Sequence, residues 1–113
     1  FNPSAVAHMQ RLSPGIPRGL TTYEFPAEDF PADAGPELSA HWQALAAIRD
    51  FDAVGASFIS HHWCDLERPR VAELRAQGAA VLCWTISSPG EEAIARRIAQ
   101  NITFEGYLAA LAP

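Results

Sequence analysis

The clearest indication of the fold is a nearly continuous apolar run, Ala79-Ala80-Val81-Leu82-Cys83-Trp84-Thr85-Ile86. A strand of a parallel sheet has this composition, because other parts of the protein cover both of its faces. Turn-forming residues bound the run, with Gly78 before it and Ser88-Pro89-Gly90 after it. We therefore predict a buried strand of a parallel sheet over residues 79–86.

Helical periodicity surrounds this strand on both sides. Leu38, Trp42, Leu45 and Ile48 recur at three- to four-residue steps, as on the apolar face of an amphipathic helix. Proline opens each predicted helix, where an amide would have no partner within the helix. The predicted helices run from Pro3 to about Leu12, from Pro36 to about Phe51, from Pro69 to the turn at Gly78, and from Pro89 to about Gln100.

Short apolar segments alternate with these helices. Besides residues 79–86, the predicted strands cover residues 16–21, 53–60 and 102–104. Residues 22–35 contain Pro26 and Pro31 and keep no regular period, so we predict an irregular connecting loop with one turn of helix. Residues 108–111 are predicted to form a closing helical turn.

The alternation of helices and strands, without any hairpin signal, indicates an α/β fold with parallel strands joined by right-handed crossovers. A parallel sheet of this size either lies open or belongs to something larger. A (β/α)8 barrel takes roughly 250 residues, and this chain has 113. The first residues, Phe1-Asn2-Pro3, have the pattern of a strand end followed by a helix cap, so we expect the chain to begin in the middle of a fold.

Charge and hydropathy disfavour two classes of partner. The formal net charge is −5, and the eight arginines are scattered rather than clustered as at a nucleic-acid interface. No apolar run approaches the about 20 residues that span a bilayer, and no leader pattern is visible. We therefore expect neither nucleic-acid binding nor a membrane span.

Cys64 and Cys83 lack metal-binding spacing, and we interpret them as small buried residues of a protein from a reducing, cytoplasmic compartment.

Several phrases of the sequence, in this order along the chain, resemble those of the glycerophosphodiester phosphodiesterases, a branch of the (β/α)8 phosphodiesterases. The most specific is Val81-Leu82-Cys83-Trp84-Thr85-Ile86, which resembles the family's seventh strand with its Trp-Thr. Ile102-Thr103-Phe104 stands where the family often has Ile-Thr-Asp, which is a departure from the pattern. The other matching phrases are Phe1-Asn2-Pro3, Arg11-Leu12-Ser13-Pro14, Ile16-Pro17-Arg18-Gly19-Leu20, the segment from Gly55 to Trp63, and the segment from Val71 to Gly78.

This resemblance implies that residues 1–113 form the carboxy-terminal half of a phosphodiesterase barrel, about its last four β/α units. The family, hydrolases of bacterial lipid metabolism, converts glycerophosphodiesters to glycerol 3-phosphate and an alcohol with a divalent metal, Mg or Ca, and two histidines. The motifs that supply these groups belong to the first three strands and do not occur in this sequence. The resemblance therefore implies no catalytic residue and no metal ligand in this chain, which alone would be inactive. Its partners would be the glycerophosphodiester and the amino-terminal half of the barrel.

Two residues are candidates for substrate binding, because barrel active sites form at the carboxyl ends of the strands. Trp84 matches the family's aromatic residue and would pack on the glycerol or its carbon chain. The alternative is a Trp that fills the barrel core, whose indole N–H would still need a partner. His61 and His62 are neighbours on an extended segment, so they should point to opposite faces and cannot grip one metal together. We expect His62, rather than His61, to reach the mouth of the site; the alternative is a surface position.

The acidic residues have simpler explanations. Asp65, Glu67, Glu91 and Glu92 lie at predicted helix starts, where negative charge interacts favourably with the helix dipole. Glu105 follows the last predicted strand and would lie on the active-site side.

Two other functions stay open. One is a non-catalytic half-barrel that binds or dimerises through its free strand edges, and the other is an open-sheet regulator or redox domain, which the lack of Cys-x-x-Cys disfavours.

Overall fold

The strands form one parallel sheet. The computed structural model describes residues 1–110, in which β1 (Gly19–Thr22), β2 (Phe58–His62), β3 (Ala80–Ile86) and β4 (Asn101–Phe104) pair side by side in chain order. Every pairing is parallel. The pairing of β3 with β4 is interrupted between Cys83 and Ile86, and the Trp84–Thr85 peptide bond is cis. The predicted α/β class with parallel strands is confirmed.

Helices precede or connect these strands. They are α1 (Pro3–Leu12), α2 (Pro36–Ala46), α3 (Pro69–Ala76) and α4 (Pro89–Ala95), with single 3-10 turns at Ala27–Asp29 and Trp63–Asp65. Each α-helix has proline in its first turn, as predicted. Asn2 caps α1 by accepting a hydrogen bond from the Ser4 amide at 3.0 Å. In the described residues, no helix is both long enough and apolar enough to cross a membrane.

The second helix is shorter than predicted and faces the core with fewer residues. It stops at Ala46 instead of Phe51, because Ile48 adopts a left-handed backbone with a φ of 50°. That turn places the side chains of Ile48 and Phe51 in the core. Leu38, at the other end of the predicted stripe, stays exposed, and Trp42 is only half-buried.

Two predictions near the carboxyl end also needed correction. The last helix stops at Ala95 rather than Gln100, and Gln100 forms hydrogen bonds with the sheet. Its amide donates to the Val81 carbonyl oxygen at 2.8 Å, and its side-chain oxygen accepts from the Val81 amide at 2.7 Å. Residues 108–110 form no helical turn, and Leu111, the last residue of that prediction, lies outside the described residues.

Both amino-terminal strands begin later than predicted. The first was predicted over residues 16–21, but Ile16 is 59% exposed and has no strand partner. The second was predicted over residues 53–60, but Gly55 has a φ of 62°, a turn conformation, and the strand begins only at Phe58. The two histidines that were expected to follow this strand are therefore its last residues.

The helix-facing side of the sheet is the hydrophobic core. Side chains alternate along a strand, and on this side Ile59, Val81 and Cys83 are fully buried. Val71 and Leu74 of α3, also fully buried, belong to the same cluster. Each fully buried Val, Leu or Ile side chain contributes about 1.5–3 kcal/mol by its removal from water. This burial determines which face of each strand turns toward the helices.

The opposite face of the sheet is only half-buried. It presents Phe58, Ser60 and Leu82 among others. Gly19 lies against the Phe58 ring, and a Cβ added to it would lie 2.3 Å from a ring carbon. In a closed barrel this face would be the interior. Within residues 1–110, β1 and β4 each pair with a single neighbour, so the sheet has two free edges.

Candidate functional site

The carboxyl ends of the parallel strands lie at one edge of the sheet, where barrel active sites form. His62 ends β2, Trp84 lies near the end of β3, and the two residues are direct partners in the strand pairing. The centroids of their rings are 5.2 Å apart, with planes tilted by 31°. The structure thus brings both candidate binding residues into contact at this edge.

Trp84 is half-buried on the open face of the sheet. Its indole N–H donates to the Ser60 carbonyl oxygen at 2.9 Å, which satisfies the one polar group of the side chain. The Phe1 ring packs edge-to-face against it, with centroids 5.6 Å apart. These contacts hold the indole in place and leave part of its apolar surface available to a ligand.

Two further aromatic residues lie at this edge, and sequence reasoning did not identify either of them as a site residue. Tyr23 immediately follows β1, and its ring centroid is 5.8 Å from that of Phe1, which is 56% exposed. The sequence signal that could have identified them is an aromatic residue at or just after the end of a predicted strand. We call Phe1, Tyr23, His62 and Trp84 the aromatic rim.

A carboxylate holds the imidazole of His62. The two carboxylate oxygens of Glu24 lie 2.7 and 2.8 Å from Nδ1 of His62. Burial by itself raises the pKa of Glu24, but hydrogen bonds from its own backbone amide and from His62 outweigh that effect and lower it. Sequence reasoning missed Glu24 because 38 residues separate it from His62, and loop residues carry no periodic signal.

His61 points to the opposite face, as the alternation along a strand predicts. Its side chain is fully buried, with Nδ1 2.7 Å from the Thr22 hydroxyl oxygen and Nε2 2.9 Å from a carboxylate oxygen of Asp65. Because a carboxylate only accepts, Nε2–H donates to Asp65, and the Thr22 hydroxyl donates to Nδ1. Burial lowers the pKa of His61, although the hydrogen bond with Asp65 acts in the other direction. His61 is therefore a neutral structural residue behind the aromatic rim.

Arg68 ties together the segments behind this edge. Its guanidinium lies 3.0 Å from the Asp65 carboxylate and donates to the carbonyl oxygens of Ala46 at 2.6 Å and of Glu24 at 3.3 Å. Asp65 was predicted to stabilise a helix start. It binds His61 and Arg68 instead, and in the part of the chain that the structure describes no side chain caps α3.

The two glutamates of α4 differ in role. The Glu91 carboxylate accepts from the amide and the hydroxyl of Ser87 at 2.7 and 2.8 Å, which matches its predicted place at a helix start, and these hydrogen bonds lower its pKa. Glu92 is buried and accepts from Arg96 at 2.6 Å and from the Tyr107 hydroxyl at 2.8 Å. Burial and the bond to Glu92 raise the pKa of Tyr107 to about 12. Glu92 therefore anchors the segment after β4.

The described residues do not fit a metal ion. Within residues 1–110, no three His, Cys, Asp or Glu side chains come together in a way that could hold one. Cys64 is exposed, which corrects its predicted burial, whereas Cys83 is buried. Glu105 is exposed, and its amide donates to the Ile86 carbonyl oxygen at 2.9 Å. The divalent metal that the resemblance implies would need ligands from elsewhere.

Two solved structures resemble the fold of this chain. A crystal structure from Agrobacterium tumefaciens strain C58, assigned as a glycerophosphoryl diester phosphodiesterase, matches with a TM-score of 0.63 and 16% identity, over 92% of this chain and 37% of that one. A structure from Silicibacter pomeroyi DSS-3, assigned in the same way, matches with a TM-score of 0.59 and 20% identity, over 92% of this chain and 32% of that one. No protein-family model and no curated protein matches the sequence.

These likenesses concern the fold. The chain spans only 32–37% of the length of the two structures, and the match is consistent with a carboxy-terminal portion of them. The predicted partial (β/α)8 barrel with parallel strands is therefore confirmed.

Proposed function

We propose that this chain is the carboxy-terminal portion of a glycerophosphodiester phosphodiesterase, which hydrolyses glycerophosphodiesters to glycerol 3-phosphate and an alcohol. The structural likeness to two proteins assigned as such enzymes supports this proposal. The observation that carries it is the aromatic rim, in which His62 and Trp84 touch at the sheet edge where barrel enzymes bind their substrates.

Trp84 and His62 are the proposed substrate-binding residues. The indole offers a flat apolar surface to the carbon atoms of the glycerol, and its neighbours on the aromatic rim exclude water from that side. The imidazole of His62 offers a ring nitrogen to a polar group of the substrate. Both residues would bind and orient the glycerophosphodiester, and neither is assigned a part in breaking the bond.

The catalytic groups and the metal ligands are proposed to belong to other strands of the barrel. The residues that the structure describes do not bring together enough ligands for a divalent metal such as Mg or Ca. The second partner of this chain would therefore be the amino-terminal part of the barrel, which would pair with the free edges and cover the half-buried face of the sheet. A cytoplasmic location and a role in bacterial lipid metabolism stay predictions.

A chimera tests the function. The part of the Agrobacterium tumefaciens protein that the match leaves uncovered is joined to this chain, with the intact protein as the reference. Release of glycerol 3-phosphate from glycerophosphocholine is measured with Mg or Ca, and bis(p-nitrophenyl) phosphate serves as a diester without glycerol. We expect turnover of the glycerol diester. A chimera that melts cooperatively but releases no glycerol 3-phosphate would contradict the proposal.

A further inference from the structure

Glu24 engages one ring nitrogen of His62 and leaves the other free. Both carboxylate oxygens lie within hydrogen-bond distance of Nδ1. Because a carboxylate only accepts, the proton of this interaction sits on Nδ1. In the part of the chain that the structure describes, Nε2 of His62 has no hydrogen-bond partner. The side chains of His62 and Glu24 are 30% and 28% exposed, so the pair borders the solvent from which a ligand would arrive.

The loop that carries Glu24 is held at two neighbouring carbonyl groups. The guanidinium of Arg68 donates to the carbonyl oxygen of Glu24, and the indole N–H of Trp42 donates to that of Phe25 at 2.7 Å. Phe25 has a φ of 48°, which is unusual for a bulky side chain. Residues in such conformations persist only where the surrounding structure enforces them, and they are frequent at functional sites. The loop therefore presents the Glu24 carboxylate in one defined place.

Trp84 and Glu24 together orient the imidazole of His62. The contact with the indole restricts the plane of the ring, and the carboxylate restricts its rotation by engaging Nδ1. The free nitrogen lies on the part of the ring that Glu24 does not cover. An imidazole held in this way by a carboxylate is a common means of fixing which nitrogen carries the proton.

We propose that Glu24 is a positioning residue, which keeps the proton of neutral His62 at Nδ1 and so offers Nε2 as a hydrogen-bond acceptor to a substrate hydroxyl. A ring nitrogen without a proton can only accept, so its partner must donate. A glycerol hydroxyl is such a donor, whereas a fully ionised phosphate is not. The identity of the ligand rests on the proposed function, but the position of the proton does not.

Nitrogen-15 NMR of the histidine rings in the 113-residue chain measures the position of the proton. We expect Nδ1 of His62 to be protonated and Nε2 to be unprotonated at a pH where the ring is neutral. The His62→Gln variant assigns the signals by their loss. Wild-type spectra in which Nε2 carries the proton would overturn the proposal.

Three variants separate positioning from a merely structural role. Glu24→Ala removes the acceptor, so the proton should redistribute to Nε2. Glu24→Gln keeps a side-chain oxygen and should retain the Nδ1 proton. Glu28→Ala removes an exposed carboxylate of the same loop and should leave the spectrum unchanged. An unchanged His62 spectrum in folded Glu24→Ala overturns the proposal. If that variant does not fold, the wild-type spectrum decides, and a ring protonated at Nε2 overturns the proposal.

Ligand titrations test the role of Nε2. Glycerol 3-phosphate should shift the Nε2 signal of His62, and Glu24→Ala should weaken this binding by about tenfold, the effect of losing about one hydrogen bond. An equal shift of the Nε2 signal with inorganic phosphate would indicate that His62 recognises the anion, and would overturn the proposal that Nε2 accepts from a hydroxyl. The absence of a shift with either probe would overturn it as well. If the proton moves as expected but the chimera is inactive, only the proposed function fails. If the chimera is active but the proton does not move, only the positioning role fails.

Discussion

Trp84 keeps its place through a hydrogen bond and two ring contacts rather than through full burial. The indole N–H is satisfied by the Ser60 carbonyl oxygen, and the ring touches Phe1 and His62. A half-buried aromatic residue contributes less to stability than one in a core, because less of its surface is removed from water. Substitutions of Trp84 should therefore affect ligand binding more than folding.

Two substitutions of Trp84 measure this difference. Trp84→Phe loses the bond to Ser60 and should lower the free energy of unfolding by about 0.5–1.5 kcal/mol. Trp84→Ala should lower it by about 1–3 kcal/mol, less than the loss usual for a fully buried Trp. Urea denaturation measures both, and Leu12→Ala, at a side chain that is 65% exposed, should change little. If Trp84→Ala leaves the free energy of unfolding unchanged, these contacts do not stabilise the fold.

The lowered pKa of His61 predicts a loss of stability in acid. The ordinary pKa of the side chain is 6.5, and burial lowers it in the folded chain. Between the lowered pKa of the folded chain and pH 6.5, the unfolded chain binds a proton that the folded chain does not bind. The stabilisation is therefore complete above the unfolded pKa and is lost as the pH falls through the folded pKa. Asp65, Arg68 and Glu24 also act electrostatically on the ring.

The variant His61→Gln isolates this effect, because glutamine can still hydrogen-bond to Thr22 and Asp65 but does not titrate. The free energy of unfolding is compared between about pH 7 and about pH 5. We expect it to fall more for the wild type than for His61→Gln. His41→Gln, at an exposed histidine, should behave like the wild type. Equal pH dependence of the wild type and His61→Gln would show that His61 does not lose a proton on folding in this range.

At the level of elements, β1 and β2 pack closely because Gly19 has no side chain. A Cβ at this position would lie 2.3 Å from two atoms of the Phe58 ring and 2.7 Å from its Cγ, which is nearer than real contacts allow. Moving only the end of the ring cannot relieve this clash, since Cγ is attached close to the backbone. The open face of the sheet therefore requires glycine beside phenylalanine at the start of this strand pair.

Gly19→Ala should lower the free energy of unfolding by about 1–3 kcal/mol, as overpacking usually does. Gly15→Ala is the matched control, because within residues 1–110 a Cβ at that position would have no atom within 4 Å apart from Gly15 itself and its two chain neighbours. In a Phe58→Ala background the cost of Gly19→Ala should largely disappear, which a double-mutant cycle measures. An equal cost in both backgrounds would assign the effect to the backbone rather than to the ring.

At the level of the whole molecule, the described part of the chain has one covered sheet face and one half-buried face. Residues 1–110 contain four parallel strands with free edges at β1 and β4. The half-buried face includes Trp84, which the proposed function places inside a closed barrel. A partner that supplies further strands would cover this face and pair with the edges.

The isolated chain should release no glycerol 3-phosphate from glycerophosphocholine with either Mg or Ca. The physical reason is that the described residues bring together no three ligands for a metal. Turnover by the purified chain would contradict this expectation. Sedimentation of the same sample tests the alternative function, a half-barrel that binds or dimerises. A stable dimer of the isolated chain, together with an inactive chimera, would favour that alternative.

Features of this protein that depend on short-range chemistry could be predicted from its amino-acid sequence. Proline with a capping residue set the starts of α1 and α4, and the apolar run at residues 79–86 identified β3. The alternation of helices and strands predicted the parallel sheet, and the two-residue period of a strand separated the faces of His61 and His62. These features depend on residues that are close in the sequence, so local patterns were sufficient to predict them.

Three features depend instead on the packing of distant segments: the ends of the second and fourth helices, the members of the aromatic rim, and the hydrogen-bond partner of His62. Ile48 and Gln100 were predicted to be helical, but Ile48 packs in the core and Gln100 forms a hydrogen bond with the sheet. Glu24 meets a histidine 38 residues away, and Arg68 reaches the carbonyl oxygen of Glu24 across 44 residues. Such contacts depend on how distant segments pack, because local periodicity specifies neither a partner nor a distance across the fold.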